Sequence, residues 1–221
     1  MLSRQLARSF ATLTGKQRSL KYLLILDFEA TCGDNGFPAH ESEIIEFPTL
    51  LYNLKDRAVE ATFAEYVRPL LHPKLTEFCT QLTGITQETV DKADTFPEVW
   101  ERYNEFLAEH EAFDNPNSFA FLTCGAWDLK TMLPTQLKHT ASLAPASSPV
   151  SATPPYLFNR VINIKKAFSM HYNRKQDAGM AGMLRRLNLE LEGRHHSGID
   201  DCKNIARIVK RMQDDDWKAK F

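Results

Sequence analysis

The residues best placed to do chemistry appear first at Asp27-Phe-Glu-Ala-Thr31, where two carboxylates follow five apolar residues, Tyr22 to Leu26, without a break. On an extended strand, positions i, i+2 and i+4 share a face, so Asp27, Glu29 and Thr31 are expected to project together. Two carboxylates at that spacing repel each other and raise each other's pKa unless a cation lies between them. Their place at the end of an apolar run argues against acids merely turning into solvent, because buried charge needs a partner or a metal. A second candidate is Asp128 in Cys124-Gly-Ala-Trp-Asp128, which taken alone reads equally well as a helix N-cap. A third is Gly193-Arg-His-His-Ser-Gly-Ile-Asp-Asp201. Its acids could instead complement a helix dipole, and its histidines could be loop residues. A histidine stands five residues ahead of an aspartate twice in that segment, His195 before Asp200 and His196 before Asp201. Carboxylates combined with an imidazole suit metal-assisted hydrolysis: hard oxygen ligands for divalent ions, and a group that titrates near neutrality.

Several elements must position these groups. Tyr22 to Ala30 reads as a strand buried on both faces, because its first half is apolar without alternation. Ile44 to Asn53 and Thr62 to Val67 read as two more strands, close enough in sequence to form an antiparallel meander. Pro48 lacks a ladder donor, so a bulge or a locally open edge is expected there. A short helix over Leu75 to Leu82 and a longer one from Thr95 follow. The longer one has Pro97 in its first turn, and Val99, Trp100, Tyr103, Phe106 and Leu107 fall at helical spacing. Ser118 to Cys124 is a fourth strand, Asp128 to Leu137 a helix, and Val161 to Phe168 a fifth strand running into a helix. Ala178 to Leu187 and Ile199 to Met212 are the last helices. Residues 140–155, rich in Ser, Ala and Pro, read as a low-complexity surface insertion, and 214–221 as a C-terminal tail. This order implies an α/β fold with a mixed five-stranded sheet flanked by helices, the ribonuclease-H-like layout.

The combination is more specific than its parts. D-x-E-x-T on the first strand, an Asp after the fourth and H-x-x-x-x-D entering the last helix resemble the DEDDh class of two-metal 3′–5′ exonucleases. Asp27-Phe-Glu-Ala-Thr-Cys32, Glu43-Ile-Ile-Glu-Phe-Pro48, Leu82-Thr-Gly-Ile-Thr86, Trp127-Asp128 and Gly198 to Arg207 are similar to the enhanced-RNAi (three-prime histone mRNA exonuclease) subfamily of exoribonucleases. The resemblance covers roughly residues 22–213. The subfamily motif H-x-G-x-D-D selects His196 and Asp201 over the alternative register. The resemblance implies that Asp27, Glu29, Asp128 and Asp201 hold two divalent ions, Mg2+ or Mn2+, and that His196 is the general base. It also implies that backbone around Glu29, Ala30 and Thr31 meets the terminal ribose, and that the substrate is RNA with a free 3′ end. Trp127 reads either as a stacking surface for a base or as a core residue anchoring a helix, and Phe47 is similarly open. The insertion at 140–155 is longer than expected for the subfamily, and no SAP-type accessory domain is recognised ahead of the core. Both departures bear on substrate preference. The readings left open are a DNA-directed exonuclease of the same architecture and an idle RNA-binding or scaffold protein. Idle relatives usually lose a carboxylate or the histidine, and all five positions are present here.

Composition adds limits. The 221 residues, 43% hydrophobic and 25% charged, suit one globular domain, and no apolar stretch approaches the ~18 residues of a membrane span. The four cysteines form no C-x-x-C pair, which argues against a zinc knuckle and against a disulfide scaffold. The net charge of −1 conceals an asymmetry: residues 1–21 hold five basic residues and no acid, leaving 22 Lys and Arg against 28 acids in the rest. Such a core can still bind a polyanion if its acids gather around metal ions, so composition neither supports nor excludes nucleic acid. The cations Lys203, Arg207, Lys210, Arg211, Arg185, Arg186 and Arg194 are expected to be mostly solvated, with some following the RNA backbone. Residues 1–20 place Leu2, Leu6, Phe10 and Leu13 opposite Arg4 and Arg8 when wound as a helix, the character of a mitochondrial transit peptide. The competing reading is a basic tail with affinity for RNA or anionic lipid, in a cytoplasmic or nuclear protein.

Overall fold

The computed structural model describes residues 20–34, 37–112, 115–143, 156–176 and 178–220. Residues 1–19, the expected targeting segment, and 144–155, most of the expected insertion, lie outside the described residues. The central strand is β1 (Tyr22–Leu26), paired antiparallel with β3 (Ile44–Asn53) and parallel with β5 (Phe119–Thr123). β3 also pairs antiparallel with β4 (Ala58–Tyr66), and β5 pairs parallel with β6 (Val161–Asn163). A two-residue strand, β2 (Glu29–Ala30), pairs with β3 beyond the end of β1 and completes a six-stranded mixed sheet.

The helices are α1 (Glu77–Thr83), α2 (Gln87–Asp91), α3 (Phe96–Glu109), α4 (Leu133–Leu143), α5 (Ile164–His171), α6 (Met180–Arg186) and α7 (Gly198–Asp214). Leu24 and Leu26 of β1 pack with Tyr103 and Leu107 of α3 and with Leu133 and Leu137 of α4. Leu23 and Ile25 pack with Phe168 of α5, Met183 of α6 and Ile205 and Val209 of α7. Alternate residues of one strand thus feed two cores, which is why the run is apolar throughout.

Two buried acids at the head of β3 hold the loops around it. Glu43 accepts the backbone N–H groups of Leu70, Leu71 and His72 at 2.8, 2.8 and 2.9 Å. Glu46 accepts those of Gly198 and Ile199 at 2.9 and 3.1 Å. It thereby caps the N-terminus of α7, where the N-cap residue Ser197 makes no side-chain cap of its own. Gly198 abuts the end of β1: a Cβ there would lie 2.6 Å from the Asp27 carbonyl oxygen and 2.9 Å from Pro48 Cγ.

The structure departs from sequence expectation at three places and, at Pro48, meets the second of two expectations. The first strand is not continuous to Ala30. It ends at Leu26, and Glu29–Ala30 re-enters as β2 with a register shift against β3, so the sheet has six strands rather than five. Pro48 carries no bulge. It sits in register with Ala64, one residue beyond the last β1 pair (Leu26 with Thr49), so the edge facing β1 has already opened. The helix after β5 runs on to Leu143, so residues 140–143 belong to α4 and not to an insertion. Its first turn, Asp128–Met132, is π-helical. The segment after α7 is not a free tail, since Trp217 packs partly buried against the α7 core and donates its N–H to the Met212 carbonyl at 2.8 Å.

Gly198→Ala is expected to cost about 1–3 kcal/mol in denaturant unfolding, the usual scale of overpacking, because the neighbour in the way is backbone. Gly179→Ala, where an added Cβ meets nothing within 4 Å and only the α6 N-cap is weakened, should cost less, about 0.5–1 kcal/mol. Equal losses would contradict the close approach of α7 to β1.

Candidate active site

β1 and β5 are adjacent and parallel, so both end on the same side of the sheet. Asp27 directly follows β1, Asp128 follows β5 by five residues, and Asp201 lies in the first turn of α7, whose end is pinned there by Glu46. Ligand oxygens of Asp27, Glu29 and Asp201 all lie within 4.8 Å of one another. Asp128 is buried, lines the same cleft of about 390 Å³, and accepts the Phe28 N–H on its Oδ1 at 3.0 Å. The helix-cap reading falls because the N-cap position is Trp127 and Asp128 lies inside the first turn, its carboxylate reaching the chain between Asp27 and Glu29, a hundred residues away.

The electrostatics follow from four acids sharing one desolvated space. Burial, with Asp128, Asp201 and Glu29 adding to it, holds the Asp27 carboxyl well above the usual carboxylate range. Burial together with Glu46, Asp201 and Asp128 pushes Glu29 up to about 9. Burial also raises Asp128, against the Phe28 N–H and Lys165, and it raises Asp201 to about 6. The Oδ1 atom of Asp201 is buried with no hydrogen-bond partner among the described residues. An orphaned carboxylate oxygen beside two more carboxylates, with oxygen the common donor, fits a hard divalent cation.

The structure separates the two histidine registers. Asp200 turns out to the Arg194 N–H and the Lys203 ammonium, both at 3.0 Å. These hold its carboxyl below the usual range against the burial that would raise it. Asp201 turns in, and its Oδ2 accepts the His196 N–H at 3.1 Å while His196 adopts a left-handed backbone, φ 65°. The His196 imidazole is driven down in pKa by burial, then by His195 and Arg194, which favours its neutral form. His195 stacks on the His196 ring at 4.0 Å and brings its own Nε2 within 4.0 Å of Asp201. Both rings line the cleft.

Trp127 is 45% exposed at the cleft, so it is not a core anchor, whereas Phe47 is fully buried against Tyr103 and is one. Ala30 lines the cleft as well. Thr31 does not join the two carboxylates: its hydroxyl accepts the Glu43 N–H at 2.9 Å and its own N–H donates to the Glu43 carbonyl. The shift to β2 breaks the alternation that would have carried Thr31 to their face.

Two residues that shape the site, Glu46 and Lys165, were not singled out from sequence, and a third, Arg194, was expected only as a solvated or RNA-facing cation. Glu46 shows the same signal as Asp27, an acid inside an apolar strand. Arg194 donates from Nη2 to the Gln81 carbonyl at 2.5 Å and lies over Gly84, whose φ of 79° leaves room for no side chain there, so the histidine loop is tied to the end of α1. Lys165, at the start of α5, lines the cleft beside Cys124 and Asp128, and nothing in its local sequence marks it.

The exonuclease (RNase_T) family model matches residues 24–209, and the chain belongs to that family. It is 44% identical to human ERI1 exoribonuclease 3 over 191 residues, and 38% identical to human 3'-5' exoribonuclease 1 over 195. These alignments take in 86% and 88% of this chain, and it spans about half, 53%, of each of those relatives. The nuclease domain of 3'hExo, a DEDDh family member solved bound to rAMP, superposes with a TM-score of 0.77 at 37% identity. That match covers 89% of this chain and 93% of the other. Cell-death related nuclease 4 (CRN-4) gives 0.75 at 30% identity, over 88% and 64%. Membership of a DEDDh-type family implies dependence on a divalent metal.

A folded-state pKa raised far above the unfolded value costs stability as the pH climbs from the unfolded pKa to the folded one. In EDTA, wild type is therefore expected to lose melting temperature between about pH 5 and pH 9 relative to Glu29→Gln, by roughly 5 °C or more at the upper end. A wild type that tracks Glu29→Gln across that range would show that the cleft does not burden Glu29.

Proposed function

We propose that this chain is a divalent-metal-dependent 3′–5′ exoribonuclease that releases nucleoside 5′-monophosphates. The observation that carries the reading is an Asp201 carboxylate with an orphaned Oδ1, clustered with those of Asp27 and Glu29 in a cleft that also holds Asp128 and two imidazoles. Support comes from relatives named as exoribonucleases and from a structural neighbour bound to rAMP. A cleft of about 390 Å³ is of a size to enclose one small ligand, which suits a terminal nucleotide better than the middle of a chain.

Asp27, Glu29, Asp128 and Asp201 would hold the metal, two Mg2+ ions in this reading, with Mn2+ able to replace them. When bound, the cations polarise the scissile phosphate and offset the negative charge that builds on it. His196 supplies a neutral imidazole nitrogen that takes a proton from the attacking water. Its loop is held to Asp201 through the backbone bond, so base and carboxylates move as one unit. Trp127 offers an exposed ring on which the terminal base stacks, and Ala30 lies along the path of its ribose. The DNA-directed alternative is separated by comparing matched RNA and DNA oligomers.

On 3′- and 5′-labelled RNA, wild type is expected to shorten the chain stepwise from a free 3′-OH and to stop in EDTA. Full activity in EDTA, or equal cleavage of a circular RNA, contradicts the reading. His196→Ala is expected to lower turnover by roughly a hundredfold or more, the scale of a lost general base, and His195→Ala much less. The reverse ranking would assign the base to the other ring. Residues 1–20, acid-free and basic, are read as a mitochondrial targeting segment. A fluorescent reporter fused to residues 1–25 should enter mitochondria, and one that stays cytosolic or nuclear overturns that assignment.

A further inference from the structure

Some cations on the described surface pair with acids. Arg57, Lys92, Arg102, Lys203, Arg207 and Arg211 each pair with a carboxylate within 4.0 Å. That accounts for three of the last helix's four basic residues. Of the described cations that make no ion pair, several, such as Lys55, Lys74, Lys130 and Lys210, are scattered along the chain, whereas Lys165, Lys166, Arg174, Lys175, Arg185 and Arg186 fall in one stretch. Residues 160–188 hold seven basic residues against one acid, Asp177, in a chain of net charge −1.

This basic stretch meets the cleft at both of its ends. Lys165 lines the cleft beside Trp127 and Asp128, and so do Gly179 and Met180, four and five residues past Lys175. Lys166 and Met170 stand four residues apart on the exposed face of α5, and Met170, 82% exposed, is the most exposed large apolar side chain among the described residues. Lys166, Arg174 and Lys175, free of ion pairs among the described residues and set beside an exposed apolar side chain, suit a single strand, whose phosphates need charge and whose unstacked bases need an apolar surface.

We propose that α5 and the turn after it, through Lys165, Lys166, Met170, Arg174 and Lys175, carry the RNA strand upstream of the terminal nucleotide. The inference rests on the exoribonuclease reading and deepens it by giving the substrate body a path. Lys165 at the cleft meets the phosphate next to the scissile one, and the strand leaves over α5 rather than over α7. A core that is acidic on average thereby holds a polyanion on one face.

The test measures binding of a fluorescent 20-nucleotide RNA in EDTA across 50–200 mM salt, and turnover of the same RNA and of a dinucleotide in Mg2+. In Lys166→Ala/Arg174→Ala/Lys175→Ala, the slope of log affinity against log salt is expected to fall by about 2, at ~0.7 per lost phosphate contact. The preference for the 20-mer over the dinucleotide should shrink by roughly tenfold or more. Charge-preserving Lys166→Arg/Arg174→Lys/Lys175→Arg should restore both, which separates lost charge from a damaged fold. An unchanged slope and length preference in the alanine variant overturns the path, even where wild type digests RNA. Wild type that binds with the expected slope but never shortens RNA leaves the surface standing and sinks the exoribonuclease reading.

Discussion

Mutual repulsion of buried carboxylates is the constraint around which the rest of this molecule is arranged. Asp27, Glu29 and Asp201 are held with their oxygens within 4.8 Å of one another, with Asp128 in the same cleft. Left alone, such a group protonates or moves apart. Backbone ties keep it from moving apart, so without a cation it holds protons instead, as the raised carboxyls of Asp27 and Glu29 record. Asp128 is tied to the Phe28 N–H, Asp201 to the His196 N–H, and α7 as a whole to Glu46 on β3. The fold therefore stores an unfavourable charge arrangement that a divalent cation would relieve.

The sheet topology makes that arrangement possible. Parallel pairing of β1 with β5 delivers two carboxylates to one end of the sheet without a long loop. Gly198 then brings the third within reach, since any side chain there would collide with the Asp27 carbonyl. Glu46 both anchors α7 and raises the pKa of Glu29, so the residue that assembles the site also sharpens its need for a cation. Arg194 repeats the pattern on the other side by tying the histidine loop to α1.

Much of this was legible in the sequence, for reasons that differ by residue. Asp27 and Glu29 stood out because charge rarely follows an apolar run, and Asp201 because its spacing from His196 fits a known motif. The buried strands and the order of helices were readable from periodicity. Thr31 was misplaced because a two-residue change of strand breaks the alternation on which the inference depended, and nothing local signals the break. The length of α4 was hidden by Ala and Ser, which serve helices and loops alike. Lys165 and Arg194 owe their roles to contacts across the chain, which no local pattern encodes.

The central claim, that four carboxylates form a cation site for hydrolysis at an RNA end, is most directly tested by metal binding itself. Mn2+ titrated into the full chain and followed by electron paramagnetic resonance should show saturable binding that Mg2+ displaces. The same titration of Asp201→Asn should show at least one ion lost. A wild type that takes up no Mn2+ above the level of Asp201→Asn would contradict the claim.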